Sequence, residues 1–270
     1  MIASDILYPV LTIAGLGLFF GLGLGLAGKF LKVEEDPKIE QIRELLPGAN
    51  CGGCGFAGCD AFASAIAEGK AEPLGCPVGG AVLAKELGEI MGVEVDVVEK
   101  LAAYIKCGGD CENSTFRYNY YGIEDCHAVQ MLAGGGSKSC VFGCLGHGSC
   151  VQACKFKAIY LINGIAVVDN EKCTACGMCV STCPRKLIEL IPYKSEVRVA
   201  CNSTDKGKIV KQNCTVGCIG CKLCEKACVY GAVHVENDLS RIDYEKCVLC
   251  GACVKNCPTK TIVMVEEIKK

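Results

Sequence analysis

The sequence predicts an α+β chain: one N-terminal transmembrane helix, a small helical four-cysteine module, and two tandem cysteine-rich repeats. Three observations carry this expectation. A run without charge, Ile6 to Gly28, is 23 residues long, more than the ~20 that cross a bilayer as helix. Cysteine supplies 25 of 270 residues, most of them two or three positions from the next. The second half also repeats itself, because adding 74 to Cys140, Cys144, Cys150, Cys154, Cys173, Cys176, Cys179 and Cys183 lands on Cys214, Cys218, Cys224, Cys228, Cys247, Cys250, Cys253 and Cys257. The one break is His147, which stands opposite Cys221. The expected divisions are an anchor over 1–31, a linker and four-cysteine module over 32–92, a cysteine-containing connection over 93–139, and repeats over 140–200 and 201–270.

The apolar run reads as a retained anchor. A cleavable signal peptide needs a basic start and a small-residue cleavage site, whereas only Asp5 precedes this run and Lys29 and Lys32 follow it. Lysines on the C-terminal side predict a single pass through the cell (inner) membrane with everything downstream in the cytoplasm. Gly17, Gly21 and Gly25 recur every fourth residue beside Gly15, Gly23 and Gly28, a spacing that suits a partner helix as well as lipid. Beyond the anchor, 32–47 reads as a charged linker entering a short helix, and Pro77 to Gly92 reads as an amphipathic helix. Asn163-Gly164 between two apolar runs predicts a hairpin.

Cysteines this close together cannot all pair with one another, so a disulfide scaffold does not fit, and a reducing cytoplasm keeps such thiols free. Soft thiolates suit iron–sulfur clusters or zinc. Cys218-x2-Cys221-x2-Cys224-x3-Cys228 followed by Cys247-x2-Cys250-x2-Cys253-x3-Cys257-Pro258 is the two-cluster bacterial ferredoxin pattern, in which three cysteines of one run share a cluster with the last of the other. The expected sets are Cys218, Cys221, Cys224 with Cys257, and Cys247, Cys250, Cys253 with Cys228. In the first copy Cys173, Cys176 and Cys179 pair with Cys154. Cys144, Cys150 and Cys183 need one further ligand, for which Cys140 is preferred and His147 is the alternative. Both repeats are therefore expected to be ferredoxin-like domains.

Upstream, Cys51-x2-Cys54-x4-Cys59-x16-Cys76 opens in a glycine-rich turn whose amides can point at sulfur. It forms a separate four-thiolate set, for which zinc is an alternative. Cys107, Cys111, Cys126, Cys201 and Cys214 remain, enough for a further cluster built on Cys107, Cys111 and Cys126 with one of the later two. At least five and as many as six [4Fe–4S] clusters are expected. A formal charge of −2 without a basic surplus argues against a nucleic-acid partner. Phosphate-binding loops and dinucleotide-binding motifs are missing, and the only histidines are His127, His147 and His234, so no catalytic residue is expected on this chain.

One membrane helix, CGGCGFAGC…CPVGG, CGGD…YGIEDC, CVFGCLGHGSCVQAC and two ferredoxin repeats together resemble the B subunit of the Rnf complex, the ion-translocating ferredoxin:NAD+ oxidoreductase, in its long, cluster-rich form. The resemblance covers essentially the whole chain. It implies an electron-transfer subunit that accepts electrons from reduced ferredoxin and passes them to other membrane and peripheral Rnf subunits. NAD+ reduction and ion pumping would belong to those partners.

Overall fold

A computed structural model describes residues 2–30, 36–95 and 99–264. Lys32 and the first part of the expected linker lie outside the described residues.

Helix α1 (Ile2–Phe30) is apolar on all sides, as a helix in lipid must be, and its Val10–Lys29 stretch has a mean hydropathy of 2.1 and buries nothing within this chain. A Cβ on any of its glycines would meet nothing within 4 Å, so the small-residue face has no partner inside the described residues.

The next module is held by three helices, and its first one begins on a strong local signal. Asp36 caps α2 (Pro37–Leu45) by accepting from the Lys38 N–H at 2.9 Å, and Pro37 occupies the first turn. Ile42 and Leu46 of this segment pack on Phe62 and Ile66 of α3 (Cys59–Ala67) and on Leu83 and Leu87 of α4 (Gly80–Met91). Gly92 ends α4 in the left-handed region at φ 69°, where a residue without Cβ is unstrained.

Two copies of one fold follow. In the first, β1 (Leu101–Ile105) is followed by α5 (Cys126–Gln130), α6 (Ser149–Ala153), a hairpin of β2 (Ile159–Ile162) and β3 (Ile165–Val168), α7 (Met178–Thr182) and β4 (Ile188–Pro192). In the second, β5 (Val197–Val199) leads to α8 (Gly207–Asn213), α9 (Leu223–Ala227), the hairpin of β6 (Val233–Glu236) and β7 (Leu239–Ile242), α10 (Ala252–Lys255) and β8 (Ile262–Met264). All four strand pairs are antiparallel: β1 with β4, β2 with β3, β5 with β8, and β6 with β7. Each copy thus closes its first strand on its last.

This closure moves two expected boundaries. Leu101–Ile105 belongs to the first copy instead of a connecting region, because its partner is β4, and Val197–Val199 opens the second copy because its partner is β8. The expected hairpin at Asn163-Gly164 is present, with φ 45° and 76° at the two turn residues, and Asn237-Asp238 repeats it at 50° and 61°. The cores are small. In each copy a few branched aliphatics such as Ile159, Ile188, Val199 and Ile262 surround cysteines, so thiols occupy volume that apolar side chains would otherwise fill.

Candidate metal centres

Cys51, Cys54, Cys59 and Cys76 line one cavity, walled by Phe62 and Val78. The tight turn after Cys51 aims the Gly53 N–H at the Cys51 sulfur over 3.4 Å, as the glycine-rich opening suggests. In the first copy Cys154, Cys173, Cys176 and Cys179 line a second cavity, between the start of β2 and the loop before α7. In the second copy Cys218, Cys221, Cys224 and Cys257 do the same. Cys228, Cys247 and Cys253 approach one another closely enough to interact as like charges, with Cys250 exposed on the same loop.

The remaining thiols are distributed differently from the expectation. Cys144, Cys150 and Cys183 share their cavity with Cys126, not with Cys140. Local hydrogen bonds account for this. Asp125 caps α5 by accepting from the Ala128 N–H at 2.8 Å, and its other oxygen accepts from the Ser149 hydroxyl at 3.0 Å. That hydroxyl in turn accepts from the Cys126 N–H at 2.7 Å, which pins the start of α5 to the start of α6, where Cys150 sits. Arg185 meanwhile donates to the carbonyls of Cys140 at 3.0 Å and Gly143 at 2.6 Å, holding the backbone of the loop before Cys144.

Cys140 instead lines a cavity with Cys107, Cys201 and Cys214. The grouping of Cys107, Cys111 and Cys126 is therefore not reproduced. Cys111 is exposed, its N–H donates to the Asn163 carbonyl at 2.8 Å, and it lines none of these five cavities. His147 turns away from the thiols. Its Nδ1 lies 2.8 Å from a Glu124 carboxylate oxygen and its ring stands edge-on to Tyr120 at 5.0 Å.

Electrostatics agree with a cationic guest. Burial, then the neighbouring thiols, pushes Cys150 and Cys179 up to about 12 and Cys253 up to about 11, so four thiolates could not gather here without positive charge between them. Four thiols around an open cavity fit a multi-atom [4Fe–4S] core.

The two copies share one further device. Behind Cys154, Cys183, Cys228 and Cys257 the chain makes a turn that brings the N–H four residues on to the sulfur: Ala158 at 3.3 Å, Leu187 at 3.5 Å, Ala232 at 3.3 Å and Thr261 at 3.2 Å. Hydrogen bonds to ligand sulfur stabilise negative charge there and tune reduction potential. At Cys257, burial raises the thiol, but hydrogen bonding from Ile262, Thr261 and Thr259 together outweighs it and holds the group below its ordinary value.

Comparison with known proteins finds cluster-binding family models over part of this cysteine-rich region. Residues 46–78 match the FeS cluster family model, and residues 166–189 and 240–263 match the 4Fe-4S binding domain. The chain is 48% identical over 260 residues to the B subunit of the Na(+)-translocating ferredoxin:NAD(+) oxidoreductase complex of Acetobacterium woodii, covering 96% of this chain and 78% of that protein. It is 46% identical to the B subunit of the ion-translocating oxidoreductase complex of Methanosarcina acetivorans, covering 96% and 98%. It is also 41% identical to the B subunit of the proton-translocating ferredoxin:NAD(+) oxidoreductase complex of Clostridium ljungdahlii, covering 94% and 89%. With likeness of this extent over nearly the full length, and cysteine sets where cluster domains are matched, the chain belongs to the family of B subunits of ion-translocating ferredoxin:NAD+ oxidoreductase (Rnf) complexes.

Proposed function

We propose that this subunit accepts electrons from reduced ferredoxin at its C-terminal half and relays them through at least five [4Fe–4S] clusters to membrane and peripheral partners, with its cluster domains on the cytoplasmic side of the cell membrane. The observation that carries this reading is the gathering of cysteines into four-thiol sets, with one of the matched family regions at each part of the row. The ligands would be Cys51, Cys54, Cys59, Cys76; Cys154, Cys173, Cys176, Cys179; Cys126, Cys144, Cys150, Cys183; Cys218, Cys221, Cys224, Cys257; and Cys228, Cys247, Cys250, Cys253. A bound [4Fe–4S] cluster supplies a one-electron redox site.

The chain's own residues set the spacing of such a row and its surroundings. The N-terminal module rests on the first ferredoxin-like copy, where a Cβ at Gly53 would fall 2.6 Å from the Cys176 carbonyl oxygen. Lys155 reinforces this contact by donating to the Asn50 carbonyl at 2.7 Å. Burial of Cys76, Cys173, Cys179 and Cys253 keeps water from much of each site, and the backbone amides described above supply fixed donors to sulfur. The module of Cys51 to Cys76 also follows closely on α1, which supports an exit toward membrane partners and an entry at the opposite end.

Metal analysis of the anaerobically purified chain tests the reading. The protein should be brown, absorb broadly near 400 nm, and carry at least about 20 irons with equal acid-labile sulfide, four per cluster. A colourless chain loaded with zinc would refute it.

A further inference from the structure

The cavity formed by Cys107, Cys140, Cys201 and Cys214 lies between the two ferredoxin-like copies, outside every matched family region. Its donors are two equivalent pairs. Cys140 and Cys214 are 74 residues apart, the repeat itself. Cys107 and Cys201 are 94 apart, so the repeat does not relate them in sequence, yet each stands two residues beyond the first strand of its copy, β1 and β5. Their backbones confirm the equivalence. The residue before each Cys bonds to its own copy, Lys106 N–H to the Leu187 carbonyl and Ala200 N–H to that of Thr261, which are 74 residues apart. The sulfurs are placed alike as well: Cys107 accepts from the Cys144 N–H at 3.3 Å, and the N–H of Cys218, the counterpart of Cys144, lies close enough to the Cys201 sulfur to stabilise negative charge on it.

The copies are joined around this point by backbone. Gly108 N–H donates to the Ala200 carbonyl at 2.9 Å, Thr115 N–H to Asn213 at 3.0 Å and Thr215 N–H to Asn113 at 2.9 Å. The walls approach the sulfurs closely, since a Cβ at Gly109 would lie 3.2 Å from the Cys214 sulfur and one at Gly143 would lie 3.5 Å from those of Cys107 and Cys140. One wall carries a buried cation without an ion pair, although Asp205 also lines the cavity. Lys138 is 3% exposed and lines the cavity, its ammonium donates to the Gly109 and Gly164 carbonyls at 2.8 and 2.9 Å, and it makes no ion pair among the described residues. A buried ammonium needs a compensating negative charge. Four thiolates around a 2+ cluster are a net dianion and supply it.

We infer that Cys107, Cys140, Cys201 and Cys214 hold a further [4Fe–4S] cluster on the pseudo-two-fold axis between the copies, with Lys138 as its buried counter-charge. The Cys144 hydrogen bond to Cys107 and the approach of Cys218 to Cys201 place it directly between a cluster site of the first copy and one of the second. It turns two separate pairs into one continuous row. The inference rests on the neighbouring sets being [4Fe–4S] clusters, and the experiment separates the two.

Iron is counted in the full-length protein and in paired variants. The wild type should hold about 24 irons, and Cys140→Ala with Cys214→Ala should hold about 20, with the EPR signals of the remaining clusters retained. Adding Cys126→Ala and Cys150→Ala should lower the count to about 16, four per cluster throughout. A brown wild type with about 20 irons would overturn the inference and leave the proposed function standing, whereas zinc in place of iron would remove both. Loss of about eight irons from Cys140→Ala with Cys214→Ala would also overturn it, since the two thiols would then serve different clusters. Native mass spectrometry of the wild type needs no variant to fold: six four-iron masses are expected, and five would sink the assignment.

Discussion

Ser149 decides which thiol reaches the cavity of Cys144, Cys150 and Cys183. Its single hydroxyl accepts from Cys126 and donates to Asp125; Cys126 is buried, so losing the hydroxyl leaves its N–H unpaired, whereas half-buried Asp125 keeps the Ala128 N–H. Cys126→Ala should therefore cost the cluster proposed there, seen as loss of about four irons or conversion to a three-iron EPR signal, while His147→Ala and Cys111→Ala keep full iron content. Iron loss in the histidine variant alone would show that the imidazole turns inward when metal is present. Cys140 was the expected ligand because thiolate is a commoner ligand of such clusters than imidazole, although in the repeat its counterpart Cys214 precedes a complete set. Cys126 comes from the stretch between β1 and Cys140, where the first copy has 20 residues more than the second. Spacing along a chain says little about a side chain delivered by such an insertion. Lys138 was also silent in the sequence, since one lysine among many has no pattern, and only its burial against two carbonyls sets it apart.

At the scale of elements, each hairpin serves as a prop for a ligand loop. Gly146 and Gly220 are 74 residues apart, both lie in the left-handed region at φ 80° and 65°, and both press against hairpin turn residues that are also 74 apart. A Cβ on Gly146 would come within 2.5 Å of the Gly164 carbonyl oxygen, and one on Gly220 within 2.9 to 3.1 Å of Asp238. Gly220→Ala thus combines left-handed strain with a backbone clash, together roughly 2–4 kcal/mol. Gly231→Ala, at φ 62° with open space around it, carries the strain alone, roughly 1–2 kcal/mol. The expected result is a larger fall in melting temperature for Gly220→Ala, with iron lost from the adjacent Cys218 set; equal effects would mean that the hairpin does not support the loop. Elements with local signals were legible in the sequence: α2 through its Asp36 cap and Pro37, α4 through its apolar spacing, and β2–β3 through Asn163-Gly164. Strands β1 and β5 were not, because three to five residues closing on a partner about 65 to 90 positions away carry no periodicity of their own. Their pairing is what moved the copy boundaries and brought Cys107 beside Cys201.

Charge is distributed unevenly over the whole molecule, and the gradient follows the row of cysteine sets. Residues 36–95 carry nine Asp and Glu against four Lys and Arg, while residues 206–260 carry nine Lys and Arg against five Asp and Glu. In the second copy Cys221 and Cys250 are exposed, so the proposed clusters of this copy come nearest to solvent there. Beside Cys221, Lys222 at the N-cap of α9 and Lys226 in its last turn are both exposed and neither is in an ion pair among the described residues, with Leu223, Val229 and Tyr230 exposed around them. An apolar centre with a basic rim suits an acidic carrier, and a ferredoxin whose clusters are net dianions is one. Opposite potentials steer such an encounter and raise its rate, an effect that salt screens over about 10 Å at 0.1 M. The double variant Lys222→Glu, Lys226→Glu replaces two exposed cations without touching a ligand, so its iron content should match the wild type. Its reduction by ferredoxin, followed by bleaching under stopped flow, should slow by about tenfold or more at low salt and by much less at high salt. Reduction by dithionite, a small molecule that needs no docking face, should be unchanged. An unaltered ferredoxin rate at low salt would place electron entry elsewhere on the row and reverse the proposed direction of transfer.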